Sequence, residues 1–136
     1  MSKAGLYLVL LAALLAGCSS EAGPGNGPGS ASVEELPQPT TGPYVSVAVD
    51  NHFHDIHPES NIEIAADRPF VVENEGRNLH NVSISGTGIR RNIEPGDRFR
   101  LDPVGSRLPP GLYTVICRFH ASQGMTGQFR VVAADG

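Results

Sequence analysis

From Tyr44 onward the apolar residues recur at every second position, and no segment of helical length carries a 3.6-residue apolar stripe. Val45, Val47 and Val49 alternate with Ser46, Ala48 and Asp50, and Ile62 and Ile64 with Glu63 and Ala65. Phe70 and Val72 stand opposite Val71 and Glu73, and Val82 and Ile84 opposite Ser83 and Ser85. Phe99 and Leu101, Leu112 to Ile116, and Phe129 to Val132 follow. Period two sends successive side chains to opposite faces, as in half-buried strands. Turn signals part the runs: Ala66-Asp67-Arg68-Pro69, Asn74-Glu75-Gly76, Pro95-Gly96-Asp97 and Pro109-Pro110-Gly111. Roughly seven short strands at this spacing predict an all-β fold, a single Greek-key β-sandwich. Without Trp and with few aromatics, its core is expected to be aliphatic and modest.

The strands are preceded by different material. Lys3 is followed by an apolar run from Leu6 to Leu15, about ten residues, where a bilayer span needs roughly 20. The run ends in Leu15-Ala16-Gly17-Cys18, which resembles a bacterial lipobox: a signal peptide over 1–17 and lipidation of Cys18. Several acyl chains at about 0.8 kcal/mol per buried CH₂ give a stable membrane anchor. Residues 18–43 are rich in Gly and Pro, with almost nothing apolar to bury, and read as a flexible tether. Its root-mean-square span is roughly 25–30 Å at 5–6 Å × √n. The folded domain is expected over 44–136, extracytoplasmic at the cell envelope.

Removal of Lys3 with the signal leaves nine basic residues, all Arg, against 14 acidic ones, a net charge of −5 with neutral His. This balance argues against nucleic acid, whose binding rests on phosphate neutralisation. With Cys18 lipidated, Cys117 is the single thiol left. Exported proteins use Cys mostly in disulfide pairs, so an unpaired thiol there needs an occupant or deep burial.

Its neighbours suggest the occupant. In Cys117-Arg-Phe-His120-Ala-Ser-Gln-Gly-Met125-Thr-Gly127, a thiolate, an imidazole and a thioether share one loop between two β-runs. A second imidazole begins another strand at Leu79-His80-Asn81-Val82. Two His, one Cys and a weak axial Met form the ligand set of a blue-copper site. Soft sulfur suits Cu(I), and imidazole suits both oxidation states. Zinc has no use for an axial thioether. A two-copper centre would need a second Cys in the loop. No Ser/His/Asp set or carboxylate pair is placed together by spacing, so no enzyme is expected.

The Cys-x₂-His-x₄-Met spacing with Gly124-Met125-Thr126-Gly127, together with Asn74-Glu75-Gly76 and His80-Asn81-Val82, resembles the cupredoxin family and its plastocyanin and pseudoazurin ligand loop. The resemblance covers about residues 45–133. It implies one copper cycling between Cu(I) and Cu(II), with His80 and Cys117 as ligands, His120 as the more exposed ligand and Met125 axial. It implies that Asn81 helps to fix the thiolate and tie the two loops together. It further implies a monomeric one-electron carrier that docks transiently to redox partners near His120. Arg118-Phe119 and Ala121 stand where many members carry Pro, which alters the surface around His120 and not the ligands.

One cluster is left over. With Val45, Val47 and Val49 inward, Phe53 continues their face and His52 and His54 point outward; His57 follows in a loop. The cluster reads first as a polar strand face. It also keeps open an alternative role in envelope copper binding or delivery, as a chaperone or buffer.

Overall fold

The computed structural model describes residues 38–135. The expected signal peptide, Cys18 and the expected tether up to residue 37 lie outside the described residues. Among the described residues nine strands form two sheets: β1 (Tyr44–Val49), β2 (His52–Phe53), β3 (Glu63–Ala65), β4 (Phe70–Asn74), β5 (His80–Ile84), β6 (Arg90–Ile93), β7 (Arg98–Leu101), β8 (Gly111–Ile116) and β9 (Thr126–Val132). One sheet has the order β2-β1-β4-β7 and the other β3-β9-β8-β5-β6. The β1–β4 and β3–β9 pairs are parallel, and the remaining pairs antiparallel. This is the all-β sandwich expected from the alternation.

The core is mostly aliphatic, as expected, with a group of aromatic rings at its centre. Phe70 sits at its centre, with ring centroids 4.5 Å from Phe129, 6.5 Å from Tyr44 and 6.5 Å from Phe99. Phe70 of one sheet and Phe129 of the other thus meet between the sheets. Each such pair adds about 0.5–1.5 kcal/mol beyond the area it buries.

The first strand faces the opposite way from expectation. Tyr44, Ser46 and Ala48 are buried, while Val45, Val47 and Val49 are half-buried on the other face. Tyr44 fills the core beside Phe70, and its hydroxyl donates to the Asp55 carbonyl. Ser46 is tolerated inside because its hydroxyl donates to the His54 carbonyl at 2.5 Å. Pairing of Ala48 with Phe53 and of Val49 with His52 still leaves Phe53 buried and His52 exposed. His52 is exposed as expected and His54 half-buried, although the inward face of β1 behind them is the opposite one.

Two strands escaped the pattern, each for a physical reason. β2 is two residues long and follows a tight turn in which Asp50 and Asn51 both take positive φ, 46° and 66°. Such turns match the twist of the strands they join and favour Asn and Asp. β6 is an edge strand with Arg90, Arg91 and Asn92 exposed and only Ile93 buried, so it shows no alternation. Charged edges of this kind block pairing with other chains.

Residues 38–43 lie against the domain. The Gln38 side chain pairs with the Val45 backbone, donating to its carbonyl at 3.0 Å. The Arg68 guanidinium donates to the Gly42 and Pro39 carbonyls at 2.9 and 2.8 Å. These contacts fall at the start of β1, whereas the candidate site described next lies beyond the other end of the same strand.

Candidate metal centre

β8 ends at Ile116 and delivers Cys117 to the interior, where it is fully buried. The loop after it is closed by its own backbone. The Cys117 N–H donates to the Met125 carbonyl at 3.1 Å, and the His120 N–H to the Cys117 carbonyl at 3.1 Å. The His120 carbonyl accepts from both Gln123 and Met125, at 3.0 and 3.2 Å. Gly124 takes φ +84°, which permits the tight return into β9. Three residues on, a Cβ at Gly127 would lie 2.7 Å from the Ile56 side chain, so only glycine lets β9 pass this close.

His80 arrives from the other side, as the first residue of β5. Asn74, at the end of β4, shapes the loop that precedes it. Its side-chain amide donates to the Asn78 and Ile93 carbonyls at 2.8 and 2.9 Å, and its carbonyl oxygen accepts the Gly76 N–H at 3.0 Å. Asn74 is almost fully buried, its side chain ties this loop to the end of β6 in the other sheet, and its backbone bonds to Gly96 and Asp97. Its role was not legible beyond the turn signal Asn74-Glu75-Gly76, because its partners are backbone groups fixed only by the fold.

The two routes converge. The Cys117 Sγ lies 3.9 Å from His80 Nδ1 and 3.4 Å from His120 Nδ1. The three donor atoms all fall within 4.8 Å of one another. A trigonal ion with metal–sulfur of about 2.3 Å and metal–nitrogen of about 2.0 Å would set sulfur and nitrogen about 3.7 Å apart, which the two distances bracket. The imidazole rings are 5.0 Å apart at 64°. His80 is fully buried, whereas His120 is partly exposed. Met125 is fully buried in the same apolar cluster as Cys117. Among the described residues, no other group of three His, Cys or acidic side chains is so placed.

The electrostatics favour a neutral imidazole. Burial pushes the His80 pKa below its ordinary value, the nearby His120 lowers it further, and Asp50 opposes both. A neutral ring keeps a lone pair free for a metal.

Asn81 acts through its backbone at the thiol. Its N–H donates to Cys117 Sγ at 3.3 Å. Its side chain instead reaches β6, donating to Asn92 Oδ1 at 2.8 Å and to the Arg91 carbonyl at 3.2 Å, and accepts from Ser83 at 2.5 Å. The tie therefore runs from β5 to its neighbouring strand.

The leftover histidines form no comparable group. The His52 and His54 rings are 6.4 Å apart, and His52 Nδ1 donates to the Asp50 carbonyl at 2.9 Å. His57 is exposed in the loop beyond. Arg91 forms an exposed 3.6 Å ion pair with Asp97, of a kind that contributes little to stability.

No protein-family model matches the chain, and no curated protein matches it in sequence. Solved structures do match in shape. A reduced amicyanin variant superposes with a TM-score of 0.53 at 16% identity, covering 67% of this chain and 83% of its own. Plastocyanin from Dryopteris crassirhizoma gives 0.50 at 18% identity, covering 65% of this chain and all of its own. A Cu-containing nitrite reductase from Thermus scotoductus gives 0.53 at 21% identity, with 68% of this chain matched to 23% of that longer one. The chain has the cupredoxin fold.

Proposed function

We propose that this protein is a mononuclear type 1 copper protein that carries single electrons at the cell envelope, tethered there through a lipidated Cys18. The observation that carries the reading is the convergence of His80 Nδ1, Cys117 Sγ and His120 Nδ1 within 4.8 Å at one end of a β-sandwich. Met125 is buried in the cluster that contains Cys117. These donors fit copper better than zinc, because imidazole, thiolate and thioether together suit both Cu(I) and Cu(II).

Bound there, copper supplies the one-electron change between Cu(I) and Cu(II). The protein supplies the rest. His80 and Cys117 hold their donor atoms in the dry interior, each fixed by its strand end. The Asn81 N–H stabilises the thiolate and restrains its direction. The closed loop from Cys117 to Met125 resists rearrangement when the charge changes, so little energy goes into moving ligands. His120 is the ligand side chain nearest solvent, flanked by exposed Phe119, Ala121 and Ser122. A small, mostly uncharged surface suits brief docking, since weak redox encounters bury less than about 1,200 Å². The role is that of a carrier, with no substrate turned over.

The optical spectrum of the copper-loaded, oxidised chain tests this. Strong visible colour from Cu(II)–thiolate charge transfer is expected, and its loss in Cys117→Ser. A colourless chain holding stoichiometric zinc after copper reconstitution would overturn the reading.

A further inference from the structure

The strand beside β1 stops short of the length of its partner. His52 pairs with Val49 and Phe53 with Ala48, and the His54 N–H donates to the Val47 carbonyl at 2.8 Å. The chain then leaves this sheet. Ile56 is fully buried, and its carbonyl accepts the Gln128 N–H of β9, in the other sheet, at 2.6 Å. Among the described residues no strand lies beside Val45 on that side. Nor does its backbone face β4. Successive residues of a strand aim their N–H and C=O to opposite sides, and the Tyr44 N–H and Ala48 carbonyl bond on the β4 side, to Pro69 and Glu75.

A side chain takes the missing place. Gln38 Nε2 donates to the Val45 carbonyl at 3.0 Å, and Gln38 Oε1 accepts the Val45 N–H at 3.4 Å. A primary amide presents a carbonyl and an N–H side by side, much as a neighbouring strand does. The strap between the two partners turns at Gly42, where φ is +82°. Arg68 holds it from outside through the Pro39 and Gly42 carbonyls. Arg68 is itself fixed: its N–H donates to the Ala65 carbonyl at 2.9 Å, and its carbonyl accepts the Val104 N–H at 2.8 Å.

We propose that Gln38 and Arg68 form a plug and clamp that close the open edge of β1 to a second copy of this chain. An unpaired strand edge is a template onto which another backbone adds. The β6 edge is defended by exposed arginines. From Tyr44 to Val49, β1 has three valines and no charge, so it lacks that defence. The same segment makes a second copy the occupant: two uncharged β1 edges meet about a two-fold axis without repulsion, each the complement of the other. Neither Gln38 nor Arg68 belongs to the metal centre, so the device is independent of copper.

Amide hydrogen exchange in the full-length chain reads the plug, and sedimentation reads the edge. Every chain carries Cys18→Ser, so that acyl chains do not drive association. Gln38→Ala should speed exchange at Val45 at least tenfold. Arg68→Ala should speed it as well, although Arg68 makes no bond to Val45, because the strap is freed. Gln38→Glu keeps an acceptor for the Val45 N–H and should exchange more slowly than Gln38→Ala. The double variant Gln38→Ala/Arg68→Ala should self-associate at a concentration at least tenfold below that of the parent chain. Amides of β8 and β9 should keep their protection throughout, which separates an opened edge from an unfolded chain. Unchanged protection of Val45 in Gln38→Ala would overturn the plug, and in Arg68→Ala the clamp. An opened edge that associates no more readily than the parent would overturn the guard against a second copy. If the double variant unfolds, Gln38→Ala alone decides by the same two measurements.

Discussion

The Asn81 backbone N–H points at Cys117 Sγ from 3.3 Å, across 36 residues of chain. The contact joins the first strand of the site to its ligand loop without using the Asn81 side chain. That side chain holds β6 instead, through Asn92 and Arg91. Substitution should therefore separate stability from the metal environment. Asn81→Ala loses these bonds and the one from Ser83, each with a net value near 1 kcal/mol, for an expected destabilisation of about 1–3 kcal/mol in urea. The charge-transfer band should stay in place, because the N–H remains. A lost or strongly displaced band with unchanged stability would show that the side chain governs the thiolate.

Met125→Leu should keep both copper and colour while raising the reduction potential. The role proposed for the buried thioether is that of a weak axial donor, whose loss would destabilise Cu(II) more than Cu(I). Voltammetry reads the shift; outright loss of copper would make Met125 a principal ligand.

Stability of the metal-free chain should depend on pH through His80. Its folded-state pKa lies below the ordinary value, chiefly because it is buried. Below about pH 6.5 the unfolded chain binds a proton that the folded one refuses, so the unfolded state binds more protons and stability falls as pH falls. The loss approaches about 1.4 kcal/mol per pH unit until the folded-state pKa is reached, and then levels off. Urea midpoints between about pH 7.5 and 5 should show this slope, and His80→Gln should lack it. Equal slopes in the two proteins would remove His80 from the account.

Carrier and copper-delivery roles separate on two surfaces. Ala121 is exposed beside His120, so Ala121→Asp should slow electron exchange with the physiological partner and leave the spectrum intact. A tenfold loss, about 1.4 kcal/mol, would be decisive. Replacing His52, His54 and His57 together by Ala should change neither copper content nor exchange rate. If the triple variant fails to acquire or pass on copper while Ala121→Asp exchanges normally, delivery is the better description.

The proposed location turns on the Cys18 sulfur. Cys18→Ala should leave the chain unlipidated and release it from the membrane fraction, with the copper site still formed. Membrane partitioning that persists in this variant would remove the lipid anchor from the proposal.

What the sequence determined alone was whatever short-range chemistry dictates. Alternation from Tyr44 onward specified strands, and glycine- and proline-rich turns separated them. The ligand loop was legible because Cys117, His120 and Met125 lie within nine consecutive residues between two β-runs. Only the tertiary structure decided the inward face of β1. A strand with Val on one side and Tyr44, Ser46 and Ala48 on the other can bury either, and the choice fell to the space beside Phe70 and a carbonyl on His54 that satisfies Ser46. It also decided how His80, 37 residues from Cys117, meets the thiol, and that backbone rather than side chain donates to the sulfur. Contacts between distant segments depend on register and loop closure, and no local pattern of residue types encodes them.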